Sequence, residues 1–329
     1  MNVVVLTDRR YVGDHPEAGP VKGYADNVIL EDNLVCEALK KRGLPASRHA
    51  WCDPEVDWSK VSCAVFRTTW DYFDRWPAFS AWLEVAASKT TLLNAPEILR
   101  WNLDKHYLRD LQAEGVDIVP TTYVIKDSSL PLLEVLGQNG WNDVVIKPAI
   151  AGAAIDTYRV TWSGDVARFS PAHAIHVDGE SLWRALLAKQ DMLVQPFLRE
   201  VIEFGEISLI WIDGEVTHGV RKKAKKDDFR VQDDHGGTVR PIELLPEWVQ
   251  TAQDIMAKCI HHCDKRGWES PLYARVDLMR DDHGRWLVSE LEMVEPELWF
   301  RFCPGAADVL AFAIQKRMSA QGVEPSGRI

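Results

Sequence analysis

The chain has no run of about 18 consecutive apolar residues, the length a helix needs to cross a bilayer, so no membrane-spanning helix and no membrane partner are expected. Its start, MNVVVLTDRR, shows neither a basic leader ahead of an apolar stretch nor a small-residue cleavage site; a standard secretory signal is excluded and a cytoplasmic protein is expected. Positive charge is in deficit. The 38 Lys and Arg against 49 Asp and Glu leave a net −11, which removes the whole-molecule basic field that bulk nucleic-acid binding uses. Six cysteines (Cys36, Cys52, Cys63, Cys259, Cys263, Cys303) in 329 residues do not form a disulfide framework. GxGxxG, GxxxxGK[ST] and GxSxG are all missing, so a dinucleotide fingerprint, a Walker loop and a nucleophile elbow have no support. No internal repeat is present.

What remains is an ordinary globular composition over a length that suits two or three compact units. Val3 to Leu6 reads as a short buried strand, and Leu34, Val35, Ala38 and Leu39 mark the inner face of a helix that stops near Gly43. Cys63 to Phe66 and Thr91 to Leu93 are further short strands, with a helix over Phe79 to Ala87 between them. Such alternation predicts a parallel sheet, whose ligands bind at the carboxyl ends of the strands. The second strand ends in Arg67-Thr68-Thr69-Trp70-Asp71-Tyr72, which places Arg67, Thr68, Trp70 and Asp71 as substrate-side candidates; ordinary packing is the competing reading for the aromatics.

Beyond residue 100 the pattern changes. Asn102 to Leu111 reads as a capped helix, followed by strands at Val119 to Val124, Val144 to Pro148 and Met192 to Phe197. Two hairpins come next: Ile207 to Ile212 turning at Asp213-Gly214 into Val216 to Val220, and Tyr273 to Met279 returning through Trp286 to Glu292. Trp248, Ala252, Ile255, Met256, Cys259, Ile260 and Cys263 recur at helical spacing. Both thiols of Cys-Ile-His-His-Cys are therefore expected in a core and not on a metal, with His261 and His262 pointing elsewhere.

The last hairpin carries the strongest chemical signal. Residues two apart on a strand share a face, so Glu290 and Glu292 point together. With a four-residue turn, Asp277 falls opposite Val288 and diagonal to Glu290 on that face, which Trp286 and Val288 share. Three converging carboxylates resist joint ionisation and call for a cation; hard oxygen donors on a rigid sheet suit Mg2+. Solvated acids on an exposed face are the alternative. Lys147-Pro148, at a strand end before the small-residue stretch Ala149 to Ala154, suits phosphate, and Lys105 is a second such lysine. Arg221 to Lys226 places five cations in six residues, and Asp228-Phe229-Arg230-Val231-Gln232 reads as strand-like before Gly236-Gly237, a diglycine that lets a ligand approach.

In this order, Lys105, Lys147-Pro148, Gln195-Pro196-Phe197, Glu203, Asp228-Phe229-Arg230, Gly236-Gly237, Asp277 and Glu290-Leu291-Glu292 resemble the ATP-grasp superfamily. The resemblance is to the branch of glutathione synthetases and ribosomal-protein-modifying glutamate ligases, and within it to the subgroup with the cycloserine-forming cyclo-ligase of antibiotic biosynthesis. It implies an α/β (α+β) ATP-grasp fold behind an N-terminal parallel α/β pre-ATP-grasp domain. The expected divisions are 1–98 for that substrate-binding domain, 99–192 for the central subdomain with the phosphate lid, 193–318 for the subdomain with the metal site, and 319–329 for a loose tail. By resemblance, Lys105 and Lys147 hold the nucleotide phosphates under a lid containing Ala151, Gly152 and Ala153. The backbone of Gln195, Pro196, Phe197 and Leu198 meets adenine, Glu203 meets ribose, and Asp277, Glu290 and Glu292 hold Mg2+. Arg230, with Lys222 as a second, stabilises the transferred phosphoryl group. Arg275 shares the Asp277 face and is a candidate for holding Glu290 or an oxyanion. The lid carries alanines where relatives are richer in glycine, and Glu292 stands where many carry asparagine.

The implied chemistry uses ATP and Mg2+ to turn a small amino-acid-like carboxylate into an acylphosphate that an amine attacks, from a second molecule or within the same one. Positioning and charge neutralisation carry such a reaction. Two other classes stay open at this point: a phosphotransferase using the same cradle, and a nucleotide-binding regulatory protein without turnover. Self-association into dimers or tetramers is a further expectation drawn from relatives.

Overall fold

A computed structural model describes residues 2–12, 23–163, 166–170, 179–225, 228–231 and 236–320. The part of the expected loose tail from 321 onward lies outside the described residues, as do Lys226, Asp227, Gln232 and His235.

The first unit is β1 (Val3–Thr7), α1 (Tyr24–Lys41), β2 (Ala46–Ala50), β3 (Cys63–Thr68), α2 (Trp76–Ala87) and β4 (Thr91–Leu93), with strand order β2-β1-β3-β4, all parallel. The sheet is covered on both faces, so its central strands are apolar throughout. Val3, Val5, Cys63 and Val65 face Val35 and Leu39 of α1, whereas Val4, Leu6, Ala64 and Phe66 face Phe79 and Leu83 of α2. Strand β2 is one the sequence reading missed: its Ala-Ser-Arg-His-Ala is an edge strand with a half-exposed middle and lacks an apolar run.

Then follow α3 (Pro96–Asn102), α4 (Tyr107–Ala113), β5 (Thr122–Val124), α5 (Leu132–Asn139), β6 (Asp143–Pro148), β7 (Tyr158–Ser163), β8 (Val166–Ser170), α6 (Gly179–Leu187) and β9 (Met192–Pro196). Their strands form an antiparallel sheet of order β5-β9-β6-β7-β8. The division expected at 192/193 thus falls inside β9. The single helix expected over 102–111 is instead two. Asn102 is not a cap: its amide donates to the Leu291 carbonyl (2.7 Å) and its carbonyl accepts from the Met293 N–H (2.6 Å). Asp104 supplies the turn that restarts the helix by accepting from the His106 N–H (3.0 Å). Lys105 sits in the break.

The remainder is α7 (Glu200–Glu203), β10 (Glu206–Ile212), β11 (Glu215–Lys223), β12 (Thr238–Ile242), α8 (Pro246–Asp264), β13 (Tyr273–Arg280), β14 (Trp286–Glu292) and α9 (Gly305–Ala320), with the antiparallel order β12-β11-β10-β13-β14. Helix α9 packs Leu310 and Ile314 into a core shared with Val3 and Val5 of the first sheet and with Ile210 and Tyr273 of the last. Among the described residues, the outer backbone of β14 has no strand partner beyond an isolated bridge between Ile118 and Val288, and side chains satisfy it instead. Asn102 brackets Leu291 and Met293, and the Tyr107 hydroxyl accepts from the Leu291 N–H (2.8 Å). These ties keep the strand from being a free edge. Cys259 and Cys263 are buried on α8 as expected. His262 departs from expectation: it is buried and stacked on Trp101.

Candidate functional site

A cavity of about 350 Å3 opens between the three units and gathers residues from both antiparallel sheets and from the segments that follow β1 and β3. The register of β13 and β14 sets its floor. Asp277 lies directly across from Glu290, and Arg275 across from Glu292, while Leu278 pairs with Val288. The expected pairing of Asp277 with Val288 is off by a bulge at Ser289. A bulge's extra residue reverses the side-chain alternation. Glu290 and Glu292 consequently face the cavity, while Val288 and Trp286 turn into the core beside Leu278 and are not neighbours of the acids.

Carboxylate oxygens of Asp277, Glu290 and Glu292 lie within 4.8 Å of one another. Each has a cation on it. Arg275 forks onto Asp277 (2.8 and 2.9 Å) and also binds Glu292. Lys147 Nζ meets Glu290 (3.0 Å), and Lys222 Nζ meets Asp277 (3.2 Å) and Glu206. Burial would raise all of these carboxyls. For Asp277 the charges of Arg275 and Lys222 win and hold it below the usual range; Lys147 and Lys105 do the same for Glu290. For Glu292 burial wins over Arg275, with Asp277 and Glu290 adding to it, and the carboxyl rises to about 8. Glu206, a fourth acid that sequence reading missed, is also raised by burial despite Lys222. The signal was legible: Glu206 and Ser208 alternate on β10 at the position where that strand pairs with Lys222 and Asp277. An all-oxygen donor set of this span on a braced sheet fits a hard divalent cation such as Mg2+.

The opposite wall comes from β6 and the segment after it. Lys105 donates from its backbone N–H to the Ala149 carbonyl (2.9 Å) and from Nζ to the Ala151 carbonyl. Gly152 lies against the Phe73 ring, where an added Cβ would come within 2.9 Å. Ala153, Ala154 and Asp156 all have φ near +50°, the left-handed region that suits glycine. Gln195, Pro196, Phe197 and Leu198 line the cavity along β9 and its exit, with the Gln195 amide on Thr121 (2.8 Å). Arg230 lines it too, from irregular backbone and not from the expected strand, its guanidinium held by Asp228 (2.8 and 3.1 Å). Lys222 is buried between Asp277 and Glu206, which makes it a counter-ion of the acids more than a free phosphate ligand.

Several expected residues fall elsewhere. Glu203 is exposed on α7 and does not line the cavity, and neither do Gly236 and Gly237. Of Arg67, Thr68, Trp70 and Asp71, only Trp70 lines it. Arg67 is fully buried, donates to the Pro296 carbonyl (2.9 Å) and faces the Phe300 ring. Thr68 bonds Thr7 (2.6 Å) and Asp32 (3.1 Å), and Asp71 accepts from Trp51 (2.6 Å) and Arg75 (2.8 Å). Thr68 and Asp71 are thus engaged inside the first unit, and Arg67 ties that unit to the segment after β14. Tyr11, Tyr24, Trp70 and Tyr72, by contrast, wall the far end of the cavity, with Trp70 6.0 Å from each of the first two rings.

A parallel sheet leading into two antiparallel sheets that enclose lysines, a small-residue loop and clustered acids defines an ATP-grasp protein. Solved structures agree. The chain is similar to the crystal structure of D-cycloserine synthetase DcsG (TM-score 0.77, 25% identity, 97% of this chain and 100% of that one). It is also similar in fold to the ATP-grasp ligase PsnB complexed with minimal precursor, Mg and ADP (TM-score 0.53, 16% identity, 95% and 98%). In sequence it is 29% identical over 298 residues to the cycloserine biosynthesis protein DcsG of Streptomyces lavendulae, covering 86% of this chain and 92% of that protein. Residues 3–94 match the family model described as D-cycloserine synthetase DcsG, N-terminal domain. The chain thus has the ATP-grasp fold and is homologous to ATP-grasp ligases, enzymes of the class that forms C–N bonds with release of ADP. Among the described residues, no helix is long and apolar enough to cross a membrane.

Proposed function

We propose that this ligase activates a small amino-acid-like carboxylate as an acylphosphate, using ATP and Mg2+, and closes it onto an amine of the same molecule in a cycloserine-type reaction. The observation that carries this reading is the cavity's polarity: clustered acids and cations at one end, and aromatic rings at the other. Those rings come largely from the first unit, the same stretch, 3–94, that matches the DcsG N-terminal model. Similarity therefore extends past the nucleotide cradle into the wall that would meet substrate.

In this reading Asp277, Glu290 and Glu292 hold Mg2+, which when bound neutralises charge on the phosphate oxygens. Lys105 and Lys147 reach the phosphates beneath residues 149–154, and the β9 exit from Gln195 to Leu198 offers backbone to adenine. Arg230 faces the transferred phosphoryl group, while Arg275 and Lys222 keep Asp277 ionised and hold its neighbours in place. The three units are proposed to divide near 98 and just beyond β9, with β9 in the central one.

The test is an ADP-release screen over proteinogenic amino acids and both enantiomers of O-ureidoserine and O-aminoserine, with products read by mass spectrometry and hydroxylamine added as a trap. Acid-dependent ADP release with a hydroxamate is the expected result. A phosphate ester with no hydroxamate would make the enzyme a phosphotransferase instead.

A further inference from the structure

One cavity carboxylate has no task in the scheme above. Glu295 follows the metal-site strand by three residues and lies outside the three-acid cluster. Its segment is irregular yet tied at four points. Trp70 Nε1 donates to the Glu295 carbonyl (3.0 Å), and Arg67 donates to the Pro296 carbonyl (2.9 Å). The Tyr273 hydroxyl donates to the Val294 carbonyl (3.0 Å), and the Tyr72 hydroxyl bonds the Glu295 carboxylate itself. The motif from Arg67 to Tyr72, read from sequence as a substrate wall, thus fixes one acid in place.

Other groups facing the cavity are engaged. Asp277, Glu290 and Glu292 carry cations, Glu206 carries Lys222, and Glu297 pairs with Arg301. Asp74 is exposed to solvent, and no described histidine lines the cavity. Formation of a neutral amide requires the attacking nitrogen to lose a proton, and lysines and arginines cannot take it. From this geometry we propose that Glu295 accepts the proton of the attacking amine, with Tyr72 as its positioning residue.

This proposal rests on the ligase reading. In the step, the amine lone pair forms the C–N bond at the acylphosphate carbonyl carbon. The C–O bond to phosphate breaks and phosphate leaves with that pair. One N–H proton passes to the Glu295 carboxylate. Burial raises Glu295 to about 7 even though Tyr72, Lys105 and Arg275 favour its charged form, so it is poised to exchange a proton near neutrality. Glu292 is the acid facing it, and Glu295 in turn raises Glu292.

The experiment compares wild type, Glu295→Gln, Glu295→Asp and Tyr72→Phe with O-aminoserine, ATP and Mg2+. Ring closure is followed alongside hydroxamate formation in excess hydroxylamine, a nucleophile that needs no enzymic base. Glu295→Gln should lose ring closure on the order of 10²-fold or more while trapping hydroxamate within about twofold of wild type. Glu295→Asp should recover part of the loss. Because the Tyr72 bond favours the carboxylate, Tyr72→Phe should shift the acid limb of the ring-closure pH profile upward, whereas Glu295→Gln should abolish that limb. AMP-PNP binding by calorimetry reports folding; if Glu295→Gln fails it, the Asp and Phe variants decide. Parallel loss of hydroxamate and ring product, or unchanged ring closure in Glu295→Gln, overturns the assignment. Wild-type protein that traps no hydroxamate from any acid of the screen overturns the ligase reading, and this proposal with it.

Discussion

The two walls of the cavity are built on opposite principles. The floor, β10, β13 and β14, holds its acids by interlocked buried ion pairs, and side chains of Asn102 and Tyr107 bracket the outer strand. The roof, residues 149–157, is irregular backbone tied mainly through Lys105, Gln190 and the Phe73 ring. Buried ion pairs of this kind do not necessarily add stability, but breaking one side leaves a charge uncompensated. The floor is therefore the part that defines geometry, and small changes there carry large penalties. The roof has fewer buried partners, and changes there should be mild. This contrast can be broken experimentally.

The largest effect is expected at the floor's centre. Glu290→Gln keeps the shape but removes the charge that Lys147 and the proposed Mg2+ both face. Turnover should fall on the order of 10³-fold with the fold intact by circular dichroism. Wild-type ADP release in this variant would remove the metal assignment.

A stability effect comes next. Gly205 has φ of +98°, and a Cβ there would stand 2.2 Å from the Lys222 carbonyl oxygen. Gly205→Ala combines backbone strain with a clash against main chain, so a loss of about 2–4 kcal/mol is expected in denaturant titration. Lys222, Glu206 and Asp277 would be displaced with it. A change under about 0.5 kcal/mol would mean that the floor yields more readily than its ion pairs imply.

Titration probes the same wall more gently. A carboxyl raised to about 8 at Glu292 holds a proton that a divalent ion must displace. Raising the pH from 6 to 8 removes that competitor, so Mg2+ affinity should increase, by up to about tenfold per pH unit. Calorimetry at pH 7 in buffers of different ionisation enthalpy should find close to one proton released per ion. For folding without metal the sign is opposite. The native carboxyl keeps a proton that the unfolded chain gives up above 4.5, so its contribution to stability declines as the pH climbs from there towards 8. A flat affinity profile would mean that Arg275 already holds Glu292 ionised.

How much of this was legible in the sequence follows from the kind of signal each part carries. Buried strands such as Val3–Thr7 and Asp143–Pro148 announce themselves by apolar runs, and Glu290 and Glu292 by a spacing of two. Strand β2 does not, because an edge strand needs no apolar core face. The bulge at Ser289 carries no local mark, yet it decides that Asp277 faces Glu290 and that Val288 does not share the acids' face. Asn102 looked like a helix cap because caps and backbone brackets use the same amide chemistry; only the partner strand, some 190 residues later, tells them apart. Arg67, Thr68 and Asp71 were polar residues at a strand's carboxyl end, where ligands bind in parallel sheets. Tertiary partners claimed them first. Glu295 lies in the stretch Glu290 to Pro296 that resembles the cycloserine subgroup, yet it drew no role, since past the strand's spacing of two nothing local shows which way it faces.

The smallest effect belongs to the roof. Ala153 is exposed and has φ of +49°, so its methyl group packs little while its backbone sits in a region that costs an alanine about 1–2 kcal/mol. Ala153→Gly removes that strain but gives the unfolded chain more freedom, which returns about 0.5–1 kcal/mol. The difference should leave the variant as stable as wild type or more stable by up to about 1 kcal/mol, measured by denaturant titration beside Gly205→Ala. A loss of more than 1 kcal/mol would show that the methyl group is held after all, and that the roof is built by the same close packing as the floor.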